Sequence, residues 1–136
     1  IQDGLAISLA HKGGVKIVVI SGRKSLATEA RCQKLGIDLA YTGVTNKQVK
    51  LREVAAELGI ACSEIAYIGD DLIDLPAMAI AGLNFAPANA VMDVKRRVDF
   101  VSQLSGGEGV LREVVEIVLN AQGSYDQILA EYLRID

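Results

Sequence analysis

Five short apolar runs, each leading toward a stretch of helical periodicity, constrain the fold of this chain more than any other feature. They are "VKIVVISG" (15–22), "DLAYTGV" (38–44), "EIAYIGDD" (64–71), "LNFAPA" (83–88) and "VDFVSQL" (98–104). The first and third are continuous, rich in β-branched residues and too short for helices, as buried strands are. Between them, "RKSLATEARCQKLGI" (23–37) places Leu26, Ala30 and Leu35 on one stripe, with Lys24, Glu29 and Gln33 more outward, and stops at Gly36. "NKQVKLREVAAELGI" (46–60) begins with Asn46 as N-cap and stops at Gly59. Shorter helices are predicted over "IDLPAMAIAG" and "NAVMDVKRR". A helix over 3–12, ended by Gly13-Gly14, opens the chain, and "VLREVVEIVLNAQG" (110–123) closes its core. Strands alternating with helices make βαβ units. The expected fold is therefore α/β: a Rossmann-like, mainly parallel sheet between two helical layers.

Composition supports this. Aromatic residues are 4% of the chain and Trp is absent, so the core is aliphatic, as in a parallel sheet covered by helices. A length of 136 residues fits one domain, and 51% hydrophobic residues exclude a disordered chain. The net charge of −3 and the few stacking side chains argue against nucleic acid as a partner. No apolar run reaches the ~18 residues of a membrane span. Cys32 and Cys62 match no metal spacing and read as free thiols in a reducing, cytoplasmic compartment. His11 stands alone and reads as a surface helix residue.

In an open α/β sheet, ligands bind at the carboxyl ends of the strands. Here those ends are Ser21-Gly22, Gly43, Gly69-Asp70 and Ala86-Pro87, which are expected to surround one crevice. At the third, Asp70, Asp71 and Asp74 cluster where desolvation and mutual repulsion oppose ionisation. A helix cap accounts for one of these, not three. Hard oxygen ligands select Mg²⁺ or Ca²⁺, and the spacing is not that of an EF-hand. Ser21-Gly22 reads either as an anion site built from a hydroxyl and backbone N–H groups or as an ordinary turn with Ser21 as N-cap. Lys47 follows "TGVTN" at the start of a helix, either serving a site or solvated at the surface. Metal, anion donors and a lysine at the ends of one sheet point together to phosphoryl chemistry. "HKGGVK" lacks P-loop spacing and precedes its strand instead of following it.

In order along the chain, "VVISGRKS", "NKQVK" and "YIGDDLIDLP" resemble motifs II, III and IV of haloacid dehalogenase-like phosphatases. "IQDGLAI", "GGEGVLREV" and "AQG" extend the resemblance to the small, capless 3-deoxy-D-manno-octulosonate 8-phosphate (KDO 8-phosphate) phosphatases, from Ile1 to about Gly123. The resemblance implies Mg²⁺ as cofactor, held by Asp70 and Asp71. It implies that Ser21 and the Gly22 N–H hold the phosphoryl group beside Arg23, and that Lys47 neutralises charge and is oriented by Asp74. Arg31 and Lys34 match positions that a neighbouring subunit points at the sugar-acid carboxylate. It also implies a homotetramer with shared sites, to which the mean hydropathy of +0.31 is suited.

Three departures stand out. The family's D-x-D strand, which carries the nucleophile and the general acid/base, does not occur in these 136 residues, and Asp3 cannot replace it. The expected organisation is thus a phosphatase core over 1–123 without its first strand and flap, inactive by itself, followed by a tail over 124–136. Glu108 stands where octulosonate phosphatases carry Arg or Lys and points to nine-carbon keto-acid substrates, whereas Arg23 points to the eight-carbon group. Two other readings stay open. One is a non-catalytic tetramerisation module like those fused to sialic-acid cytidylyltransferases, which the intact Ser21, Lys47, Asp70 and Asp74 disfavour. The other is a general small-phosphate phosphatase. In the tail, Tyr125, Ile128, Leu129 and Tyr132 fit either a short amphipathic helix or a segment reaching an adjacent site.

Overall fold

The computed structural model describes residues 2–107 and 109–134. Glu108, on which the nine-carbon expectation rests, lies outside the described residues. The order of elements is α1 (Gln2–Lys12), β1 (Val18–Ile20), α2 (Leu26–Leu35), β2 (Leu39–Tyr41), α3 (Lys47–Leu58), β3 (Ala66–Ile68), α4 (Leu75–Met78), β4 (Leu83–Ala86), α5 (Met92–Lys95), β5 (Phe100–Val101), α6 (Val110–Gln122) and α7 (Tyr125–Leu133). Single 3₁₀ turns over Cys62–Glu64 and Leu72–Asp74 flank β3. Every predicted strand is present but shortened. Helix stops fall at the predicted glycines: Gly36 and Gly59 adopt left-handed φ of 83° and 69° and return their N–H groups to the last turn.

The chain forms two compact units. The first comprises residues 1–19, 25–41 and 111–136, the second 20–24 and 42–110. In the first, β1 and β2 form a two-stranded sheet. Its core gathers Ala6, Leu9 and Ala10 of α1, Val115 and Leu119 of α6, and Ile128 of α7. The tail is therefore a helix anchored in this core, with Leu129 and Tyr132 more exposed. Tyr125 Oη donates to Glu116 Oε1 at 2.7 Å, and Lys12 Nζ lies 5.3 Å over the Tyr132 ring. His11 is an exposed residue of α1, as expected, and its Nε2 donates to Asp38 Oδ2 at 2.9 Å. The stripe expected on α2 is largely unrealised, since only Cys32 is buried and Leu26 is 73% exposed. That helix starts at Leu26, the first residue of its apolar pattern, and later than an N-cap at Ser21 would place it. Ser25, not Ser21, is its N-cap and accepts from Thr28 N at 3.1 Å.

The second unit holds a three-stranded sheet in the order β3-β4-β5, parallel throughout, with Ala66 opposite Leu83 and Phe85 opposite Phe100. Its core joins Leu51 of α3, Tyr67 of β3, Ala77 and Met78 of α4, Ala86 of β4, and Ala90 and Val94. β3 departs from its sequence reading. Tyr67 is buried, while Ala66 and Ile68 are exposed. A run that reads as buried on both faces is here buried on one: Tyr67 packs into the core, and Ala66 and Ile68 point to the opposite, exposed face. Both cysteines are free thiols. No helix among the described residues is long and apolar enough to cross a membrane.

Candidate phosphate-binding cleft

A cleft of about 580 Å³ opens in the second unit, lined by Ile20, Ser21, Gly22, Arg23, Val44, Thr45, Lys47, Asp70 and Ile73. Three of the four expected strand ends contribute to this region. Ser21 and Gly22 follow β1, Val44 and Thr45 follow Gly43, and Asp70 follows β3. Ala86-Pro87 does not line it. The loops are tied together where they leave the strands: Val44 N donates to Ser21 O, and Val91 N to Asp70 O, each at 3.0 Å.

Lys47 is the first residue of α3, behind Asn46, whose Oδ1 accepts from Val49 N at 3.0 Å. An ammonium there sits at the positive end of the helix dipole, which opposes it. A carboxylate offsets this: Lys47 Nζ donates to Asp74 Oδ1 at 2.8 Å, with the two side chains only 10% and 4% exposed. The same Oδ1 accepts from Tyr67 Oη at 2.6 Å, while Oδ2 accepts from Asp70 N at 3.0 Å and Asp71 N at 3.2 Å. Burial by itself would raise the Asp74 pKa. The donors Lys47, Tyr67 and Asp70 N outweigh it and hold the carboxyl below its ordinary value. Asp74 is thus an ionised, fully engaged carboxylate on a tight turn.

Asp70 behaves in the opposite way. Partial burial, then the neighbouring Asp74 charge, push its pKa up, with Lys47 only partly compensating. Among the described residues it is the one carboxylate lining the cleft. Asp71 caps the turn, its Oδ1 accepting from Leu72 N at 2.7 Å. Among the described residues no cluster of three or more acidic, His or Cys side chains is placed to hold a metal. Ser21 Oγ lies 3.4 Å from Arg23 N, and its neighbours Gly22 and Arg23 are exposed at the rim. Arg31 and Lys34 are exposed on α2 and do not line the cleft.

Tyr67, Thr45 and Ile73 were not legible as site residues. For Tyr67 a signal existed: a tyrosine within an aliphatic strand has a hydroxyl that must find a partner once buried.

Residues 41–114 match the haloacid dehalogenase-like hydrolase family. The 3-deoxy-D-manno-octulosonate 8-phosphate phosphatase KdsC of Escherichia coli (strain K12) is 39% identical over 127 residues, 93% of this chain and 68% of that protein. The chain belongs to the haloacid dehalogenase-like hydrolases, in the octulosonate 8-phosphate phosphatase family. Solved structures of this family superpose closely. The cobalt-bound Haemophilus influenzae phosphatase matches with a TM-score of 0.87 at 38% identity, covering 92% of this chain and 73% of that one. The Moraxella catarrhalis phosphatase, in complex with magnesium, phosphate and KDO, matches with a TM-score of 0.90 at 35% identity, covering 96% of this chain and 75% of that one. The Rossmann-like, haloacid dehalogenase-type α/β fold expected from the sequence is the fold observed.

Proposed function

We propose that this chain is the core of a Mg²⁺-dependent phosphatase for a 2-keto-3-deoxy sugar acid, with KDO 8-phosphate as its substrate. The observation that carries the reading is the cleft itself: one destabilised carboxylate, Asp70, faces the same space as a fixed ammonium, Lys47, and the Ser21-Gly22 turn. A lone anion would be repelled by Asp70. A phosphate accompanied by a divalent cation satisfies both signs of charge at once.

Asp70 is the residue that would hold the cation, with Asp71 beside it, and a bound Mg²⁺ supplies charge neutralisation at the phosphoryl oxygens. Ser21 Oγ and the Gly22 N–H receive the phosphoryl group, and Lys47 offsets its negative charge. Asp74, with both oxygens occupied, keeps Lys47 in place and takes no proton itself. Arg23 at the rim meets the part of the substrate beyond the phosphate, while Val44 and Ile73 offer apolar walls to its carbon chain. Asp70, the one carboxylate among the described residues that line the cleft, belongs to the cation. By the family resemblance, the attacking carboxylate is that of a D-x-D strand, which these 136 residues do not contain. A homotetramer would bring Arg31 and Lys34 of a neighbouring copy to the substrate carboxylate, and the enzyme would act in the cytoplasm.

The test is phosphate release from KDO 8-phosphate and from a nine-carbon keto-acid 9-phosphate, with Mg²⁺ and with EDTA. It compares the complete reading frame with this chain. Mg²⁺-dependent release of phosphate by the complete protein, faster from the eight-carbon ester, is the expected result. Faster release from the nine-carbon ester would reassign the substrate. No release from either would favour a tetramerisation module.

A further inference from the structure

Tyr67 stands apart from the aliphatic strand around it. Its ring is 8% exposed and packs in the cluster with Leu51, Ala77 and Met78. Phenylalanine would fill that space without burying a hydroxyl, and a buried hydroxyl is costly unless it is bonded. Tyr67 Oη donates to Asp74 Oδ1 at 2.6 Å, the short distance of a charge-assisted bond. Burial, reinforced by the bond to Asp74, pushes the phenol pKa far up, so the group stays a protonated donor.

We propose that Tyr67 is a positioning residue of the cleft, whose hydroxyl fixes the Asp74 carboxylate and thereby aims the Lys47 ammonium at the bound anion. The identity of that anion as phosphate rests on the phosphatase reading above; the hold on Lys47 does not. An aspartate carboxylate rotates in a broad torsional well. The N–H groups of Asp70 and Asp71 fix Oδ2, and the Tyr67 hydroxyl, standing on a strand, fixes the direction of Oδ1. Lys47, on its flexible stem, is the only mobile partner of the four. The four donors also divide the carboxylate's charge. The ammonium is therefore held without being fully neutralised, and two of its three N–H donors remain for what the cleft binds.

The test uses the 136-residue chain, labelled with ¹⁵N at lysine Nζ. The wild type is expected to show a sheltered Lys47 Nζ–H resonance, assigned by its loss in Lys47→Arg. Tyr67→Phe, which keeps the packed ring, should shift or broaden that resonance and lower the thermal midpoint, as loss of a bond to a buried carboxylate requires, while leaving the amide spectrum remote from β3 unchanged. Calorimetry with inorganic phosphate and Mg²⁺ should show binding weakened about tenfold, the scale of a lost hydrogen bond to a charged group. A Lys47 resonance that is absent in the wild type, or indifferent to Tyr67→Phe, overturns the proposal. So does a changed resonance with unchanged phosphate affinity. If the resonance responds and neither protein binds phosphate, the positioning role stands, and phosphate release by the complete reading frame decides the phosphatase reading. Should Tyr67→Phe not fold, the wild type still decides. A slowly exchanging Tyr67 hydroxyl proton close to the Lys47 Nζ protons is required, and its absence counts against the role.

Discussion

At the scale of single residues, the site is a balance between two aspartates four positions apart. Asp74 has its pKa lowered by its donors and Asp70 has its pKa raised by burial and by Asp74. A carboxyl whose folded pKa is raised favours the fold at low pH and loses that contribution as pH rises through the folded value. In the metal-free chain at pH 7, Asp70→Asn is therefore expected to raise the thermal midpoint, with the gain vanishing in acid. Added Mg²⁺ should reverse the order, raising the midpoint of the wild type and leaving the variant unmoved. Thermal melts with and without Mg²⁺ across pH 4 to 8, roughly the window that spans ordinary carboxylate titration, measure both effects. Gly69 lets the two aspartates share one turn. A Cβ there would come within 2.8 Å of both Asp74 Cβ and Met78 Sδ. Gly69→Ala should cost about 2 kcal/mol in urea unfolding, the scale of an overpacked core, and displace Asp74 from the Asp70 and Asp71 N–H groups.

At the scale of elements, short strands depend on side chains that finish what few backbone bonds begin. Asp38 precedes β2 and ties it to the approach of β1: its Oδ2 accepts from Ile17 N at 2.7 Å, and its own N–H donates to Ile17 O at 3.0 Å. The same oxygen accepts from His11 at the end of α1. Burial pushes the Asp38 pKa up, but the Ile17 N–H and His11 more than compensate and hold it below the ordinary value. Such a group contributes stability above the unfolded carboxylate pKa of about 3.9 and loses it as pH falls through the lower folded value. Asp38→Ala is expected to destabilise the chain by about 1.5 kcal/mol at pH 7. The gap from wild type should close as pH drops below the carboxylate range, read by urea unfolding at each pH. In α3, a good cap and a poorly placed charge adjoin. Asn46 secures the helix start, and Lys47 occupies the position that the helix dipole least favours.

At the scale of the whole chain, the two ends meet in one core. α1 comes from the start of the sequence, α6 and α7 from its end, and Ile128 is 4% exposed among their side chains. Ile128→Ala should cost about 3 kcal/mol in chemical denaturation, the range for truncating a buried aliphatic side chain. A tail that merely waited for a neighbouring site would register almost no change. The sequence by itself determined what local physics determines. It specified five strands in order, helix stops at Gly36 and Gly59, the Asn46 cap, and the motif residues, because periodicity, glycine and capping act within a few residues. Only the tertiary structure decided the rest. It saturated Asp74 from three different segments and seated Tyr67 on its carboxylate. It left Leu26 exposed and buried Ile128. These outcomes depend on Tyr67 and Lys47, 7 and 27 residues from Asp74 along the chain, and on far greater separations for Ile128 against α1. No local pattern specifies which distant group will satisfy a buried charge or cover an apolar side chain.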